Sequence, residues 1–254
     1  MASYNHGLSK DGLCYVGEEK LLFGQCGPDK CVHLTEVMEY CADYVMELYT
    51  QRGQNRDFLS EKGYAQMVSR ASFHINRLPK ENEEIVITVR EEKPDRIQLM
   101  RSYDFKTKAG EQLITAKSLW VIVNPQTRDV VMPDKFEFLA KSELQTELEK
   151  KPGKIRIPEQ LEALGEQRIL YSHIDGNGHL TNAKYINFAL DFLPENFQSK
   201  QLKDFRLNFC KEIRKGEIMK IFGAFDAEQN RFVVVGKKDE DGNLISSFEC
   251  ELFY

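Results

Sequence analysis

One pattern limits the folds open to this chain more than any other: it is written twice. His33-Leu34-Thr35 opens one apolar-periodic run and His179-Leu180-Thr181 opens a second, 146 positions further on. Downstream, Glu84-Ile85 lies opposite Glu217-Ile218 at a spacing of 133, and Ala109-Gly110 lies opposite Asp241-Gly242 at 132. The shortening is explained by a longer helix-to-strand loop in the first half. A helix followed by a long antiparallel meander, made twice, is the pattern of two helices each wrapped by a curled sheet, an α+β chain of two similar halves.

In the first half, residues 11–26 read as a strand pair with Gly17-Glu18-Glu19-Lys20 as its turn. Thr35 caps the helix that follows, and Val37, Cys41, Val45 and Leu48 form its apolar stripe up to Gly53. Strand-like runs then cover 64–68, 72–76, 85–89, 97–105 and 114–123, with Lys108-Ala109-Gly110 as a hairpin connection. Residues 133–165 turn charged and read as a linker with room for a short helix. The second set holds strands at 168–172, 205–209, 218–225, 231–237 and 244–254. Three segments are thus expected: 1–132, a linker over 133–165, and 166–254.

Composition removes several classes of function. At 254 residues and net charge -5, the chain lacks the basic excess of a nucleic-acid binder. No run is apolar enough for a membrane span, and the first twelve residues, MASYNHGLSKDG, lack a signal peptide's basic start and apolar core. A cytoplasmic setting is the expectation. The six cysteines show no CxxC spacing and read as thiols in a reducing compartment.

The chemistry concentrates between Tyr171 and Pro194. Asp175, Asn177 and His179 recur at a spacing of two, which in an extended segment turns a carboxylate, an amide and an imidazole to one face. Gly176 and Gly178 leave the other face bare. Thr181 is the expected N-cap of a helix carrying Ile186, Ala189, Leu190 and Leu193 and ended by Pro194. Tyr185, Phe188 and Phe192 make that helix apolar on most sides. The same small polar residues also suit a plain turn of the DGNG type. A metal reading of His173, Asp175 and His179 lacks a fourth ligand at familiar spacing. Calcium loops are excluded too, since twelve positions counted from Asp175 end on Ile186 rather than on a glutamate.

The motif Asp175-x-Asn177-x-His179-x-x-Asn182-x-x-Tyr185 resembles the active-site motif of the acyl-acyl-carrier-protein thioesterases of plants and bacteria. Lys211-Glu212 before a charged turn resembles their second motif, with Glu212 at the catalytic glutamate. Gly63-Tyr64-Ala65 with Arg70, Pro79, and Trp120 with Asn124 and Arg128 look like first-half landmarks. The resemblance implies a tandem, or double, hotdog fold. It also implies hydrolysis of fatty acyl thioesters in the second half and no metal or other cofactor, and the first half, which lacks a full copy of the site, is left to shape the acyl-chain pocket. The expected partner is acyl carrier protein, with room left for a homodimer. One departure is plain: the plant enzymes carry a cysteine directly after the glutamate, where this chain has Ile213.

Thioester hydrolysis needs an activated water and donors for the developing oxyanion. The reading gives Glu212 the role of base, Asn177 and His179 the carbonyl or the water, and Asp175 the orientation of a partner. In the first half, Asp29 and His33 pair with Asp175 and His179, while Cys31 replaces the asparagine. Pro79 falls opposite Glu212, with Glu81 within a slip of two residues. One working site per chain is expected. An acyl-CoA thioesterase of the same fold and a noncatalytic acyl-binding protein are the alternatives. Seven basic residues against three acidic over 200–220, among them Lys203, Arg206 and Lys215, form the expected surface for an acidic carrier protein.

Overall fold

The computed structural model describes residues 5–254, which divide into two compact units on either side of Lys151 and Pro152. The first unit runs β1 (His6–Leu8), β2 (Cys14–Lys20), α1 (Leu34–Gln51), α2 (Arg56–Glu61), β3 (Ala65–Ile75), β4 (Glu84–Glu91), β5 (Leu99–Thr107), β6 (Gln112–Val123) and β7 (Val130–Val131). Its antiparallel strands lie in the order β1-β2-β4-β5-β6-β3, with β7 beside β6.

The packing of α1 follows from its period. Val37, Cys41, Val45 and Leu48 recur every three or four residues and are all buried against β2 and β4. Gly17 in β2 permits this close approach, because a Cβ there would fall 2.2 Å from the Tyr44 hydroxyl on α1. Each fully buried aliphatic side chain contributes about 1.5–3 kcal/mol. Beneath the end of α1 the interior is polar. Arg101, with no exposed surface, donates to the Tyr49 hydroxyl at 3.0 Å and to Gln66 at 2.9 Å, and Tyr49 donates to Glu91 at 2.8 Å.

Several local expectations shift. Gly17-Glu18-Glu19-Lys20 is strand, not turn; the reversal lies at Ser9–Gly12, where Gly12 takes φ +72 and donates to the Ser9 carbonyl. Helix α1 starts at Leu34 with His33 as its N-cap, so Thr35 lies buried in the first turn. The runs at 64–68 and 72–76 are one strand, β3, interrupted by a bulge between Val68 and Arg70. The charged stretch after Pro133 begins with a 3-10 turn, Pro133–Lys135. Further on it is strapped to the first unit: Lys117 pairs with Glu92 at 2.8 Å and donates to the Thr146 carbonyl, and Ser142 donates to the Glu91 carbonyl.

The second unit contains β8 (Glu162–Arg168), α3 (Lys184–Asp191), α4 (Glu195–Gln198), β9 (Asp204–Phe209), β10 (Ile218–Asp226), β11 (Arg231–Glu240) and β12 (Asn243–Phe253). Its antiparallel order is β9-β12-β11-β10-β8, and α3 packs on β11 and β12. A helix on a meander is therefore made in each unit, in agreement with the tandem hotdog expectation. The first strand of this unit ends where it was expected to begin, because β8 is a largely exposed edge with little apolar alternation. Within the sheet, buried Glu251 is held by Arg206 and Arg231, and Arg231 also reaches Asp226 at 3.1 Å. No described helix is long and apolar enough to cross a membrane.

Candidate active site

The segment Asp175–His179 is a closed turn rather than an extended strand. Asp175 N–H donates to the His179 carbonyl at 2.9 Å, Gly178 N–H to the Asp175 carbonyl at 3.0 Å, and Gly178 takes φ +80, which glycine adopts without a Cβ clash. The Asp175 carboxylate is the turn's own acceptor. It takes Asn177 N–H at 2.8 Å, His179 N–H at 3.4 Å and the Asn177 side-chain amide at 3.3 Å. Three polar residues that were expected to emerge side by side thus bind one another first.

His179 is then carried out of the turn onto a second segment. Leu180 N–H donates to the Ile213 carbonyl at 2.9 Å, and His179 forms an antiparallel bridge with Arg214. Glu212 is brought alongside by this pairing, and His179 Nε2 stands 3.2 Å from Glu212 Oε2. The side chains keep 22% and 31% of their exposure, enough for a substrate to reach them. Ser247 on β12 fixes the far side of the segment: its carbonyl accepts from Cys210 N–H and Lys211 N–H, and its hydroxyl donates to the Lys211 carbonyl at 2.7 Å. Nothing in the sequence singled out Ser247.

Ile213, at the position of the plant cysteine, is fully buried, whereas Cys210 is exposed and its thiol donates to the Asn208 carbonyl at 3.8 Å. Tyr185 of the motif is a buried residue of α3, with its ring against Phe209 and Phe248. Burial pushes its hydroxyl well above the usual tyrosine range, so it stays protonated. Thr181 does not cap α3, which begins at Lys184 after Ala183; its hydroxyl donates to the His173 carbonyl at 3.1 Å. Arg206, expected to be part of a docking surface, is held by buried Glu251. Lys215 is exposed and lies over the ring of Tyr171, which keeps 81% of its surface.

The first unit repeats this construction in a register two residues from that expected. Gly27 N–H donates to the Cys31 carbonyl, Val32 N–H to the Pro79 carbonyl, and Cys31 bridges Lys80, matching the bonds of Asp175, Leu180 and His179 one for one. Gly27 therefore stands where Asp175 does, Asp29 where Asn177 does, and Cys31 where His179 does. Leu78, rather than Pro79 or Glu81, takes the place of Glu212. His33 matches Thr181 and lies outside the turn.

An imidazole and a carboxylate at hydrogen-bond distance, on two backbone segments zipped together, can share a proton and pass it to or from a bound water. Comparison with known proteins bears on the family and the fold. Residues 12–137 match the family model described as the acyl-ACP thioesterase N-terminal domain, and residues 160–249 match its C-terminal domain. The crystal structure of an acyl-ACP thioesterase from Bacteroides thetaiotaomicron superposes with TM-score 0.85 at 20% identity, covering 97% of this chain and 99% of that one. The 12:0-ACP thioesterase from Umbellularia californica superposes with TM-score 0.82 at 15% identity, covering 97% and 98%. A chloroplastic acyl-[acyl-carrier-protein] hydrolase, FATB3 of Cuphea viscosissima, is 24% identical over 168 residues, which are 63% of this chain but 41% of that relative's length. With the N- and C-terminal models both matched, in order and across most of its length, this chain belongs to the acyl-ACP thioesterase family.

Proposed function

We propose that the protein hydrolyses fatty acyl thioesters of acyl carrier protein, releasing the free acid and so ending chain elongation. The observation that carries the reading is the 3.2 Å contact of His179 Nε2 with Glu212 Oε2 in a chain of this family. Glu212 takes a proton from a water whose oxygen bonds to the thioester carbonyl carbon. The carbonyl π pair moves to oxygen, and this oxyanion is met by donors from the turn. Asn177 Nδ2 spends one N–H on Asp175 and has a second to offer. Collapse breaks the C–S bond, and the thiolate leaves with the proton returned from Glu212. His179 holds the carboxylate oriented throughout, and Asp175 holds His179 and Asn177 in their turn.

The partner surface we assign is the exposed edge beside this pair. Leu170 and Tyr171 are exposed at 49% and 81%, and Arg214 and Lys215 are exposed next to them. Apolar contact with cationic flanks suits an acidic carrier, and it would raise the encounter rate more than the affinity. A cytoplasmic setting is supported by six cysteines that are all thiols. Sedimentation velocity tests the homodimer the reading allows.

Turnover of one acyl group on carrier protein, on CoA and on a small uncharged thiol tests the assignment. Faster hydrolysis of the carrier-protein thioester supports it. A preference for CoA would favour the acyl-CoA reading, and retention of the acyl group without thiol release would favour noncatalytic binding.

A further inference from the structure

The catalytic turn hangs from a residue with no part in the chemistry described above. Before the turn the chain makes one 3-10 turn, Tyr171–His173. Here His173 Nδ1 accepts Leu170 N–H at 3.2 Å, while the His173 carbonyl accepts Thr181 N–H at 2.9 Å and the Thr181 hydroxyl at 3.1 Å. The chain entering the turn and the chain leaving it are thereby tied at one residue. The ring is set by an edge contact with Phe188 of α3, with centroids 5.3 Å apart.

The first unit supplies an internal control. In the matching 3-10 turn, Phe23–Gln25, the Gln25 side-chain oxygen accepts Leu22 N–H at 2.9 Å and the Gln25 carbonyl accepts His33 N–H at 2.9 Å. An amide oxygen makes there the bond that an imidazole nitrogen makes here, so the position requires an acceptor rather than a histidine.

We propose that His173 is a positioning residue of this site: by accepting Leu170 N–H through its ring and Thr181 through its carbonyl, it fixes where the Asp175–His179 turn presents His179 to Glu212. The proposal rests on the reading that His179 and Glu212 carry the hydrolysis. Protonation of the ring removes the Nδ1 acceptor and loosens the tie. Burial, and then the Lys184 ammonium of α3, hold the His173 pKa below its ordinary 6.5, so the acceptor persists at neutral pH.

The test compares His173→Ala, His173→Gln and Glu212→Ala in the full chain, with the dodecanoyl thioester of acyl carrier protein as substrate and amide exchange at Leu170 as a readout independent of activity. His173→Ala should lower kcat roughly 10- to 100-fold, as misplacement of a catalytic group does, with KM changed less than about twofold and Leu170 exchange accelerated. His173→Gln should restore both kcat and protection. The ratio of His173→Gln to wild-type kcat should rise as pH falls through the folded-state pKa of His173, which lies below the ordinary 6.5, a ratio from which titrations common to both proteins cancel. Equal losses in His173→Ala and His173→Gln would assign the effect to the imidazole itself and overturn positioning. Full activity of His173→Ala with Glu212→Ala inactive would overturn this proposal alone, and full activity of Glu212→Ala would overturn it together with the reading of the site.

Discussion

Glu212 and His179 meet at 3.2 Å although α3, α4 and β9 lie between them in the chain. The contact is delivered by backbone pairing: Leu180 bonds to Ile213, His179 bridges Arg214, and Ser247 pins Cys210 and Lys211 from the opposite side. Such an arrangement sets the geometry before substrate arrives, which is how a site avoids reorganisation during the reaction.

The Asp175 carboxylate should act through the turn. Asp175→Ala removes the acceptor of three bonds, and kcat should fall roughly 100-fold, whereas Asp175→Asn keeps an oxygen acceptor and should retain most of the rate. Steady-state kinetics of the two variants check this, and equal loss in both would give the negative charge a direct role.

The carrier surface should show itself in salt dependence. Neutralising Arg214 and Lys215 should lower kcat/KM for the carrier-protein substrate at low ionic strength and flatten its fall with added salt, since screening acts over about 10 Å at 0.1 M. Arg206→Gln should instead lower stability, because its partner Glu251 has no exposed surface.

Stability in the second unit depends on the cluster of buried Glu251 and Arg231 with half-buried Arg206. Glu251→Ala leaves two guanidinium groups without their shared partner and should cost about 3–5 kcal/mol by urea unfolding. In the first unit, Leu48→Ala at a fully buried position of α1 should cost about 2–5 kcal/mol.

His173 also gives stability a pH dependence with a defined sign. Its pKa is lower in the folded chain, so the unfolded state binds the proton more readily. The contribution is whole above 6.5, the ordinary value, and is lost as pH falls from there through the folded value. Urea midpoints should therefore fall less between pH 7 and pH 5 in His173→Gln than in the wild type.

What could be read from the sequence was what repeats within a few residues. The stripe Val37, Cys41, Val45 and Leu48 has the helical period, and every member is buried. Strand β8 was misplaced because most of its side chains face solvent, and alternation carries little signal on an exposed edge. The repeat was seen but registered two residues off, because His-Leu-Thr is a short match and the turns, not the letters, are what the two units share. Asp175, Asn177 and His179 were legible as a cluster, yet their turn was read as extended because spacing alone does not tell a folded-back acceptor from a free one. His173 and Ser247 act through bonds to Leu170, Thr181 and Lys211, and no local pattern marks a residue whose importance lies in which distant amide or carbonyl it meets.

The central claim, that the Glu212 carboxylate activates water while the thiol of Cys210 stands aside, reduces to one measurement: kcat for the same carrier-protein thioester in Glu212→Ala and Cys210→Ala. The predicted result is loss of at least about 100-fold, roughly 3 kcal/mol, in Glu212→Ala and a rate within about twofold of wild type in Cys210→Ala. An active Glu212→Ala beside an inactive Cys210→Ala would contradict the account.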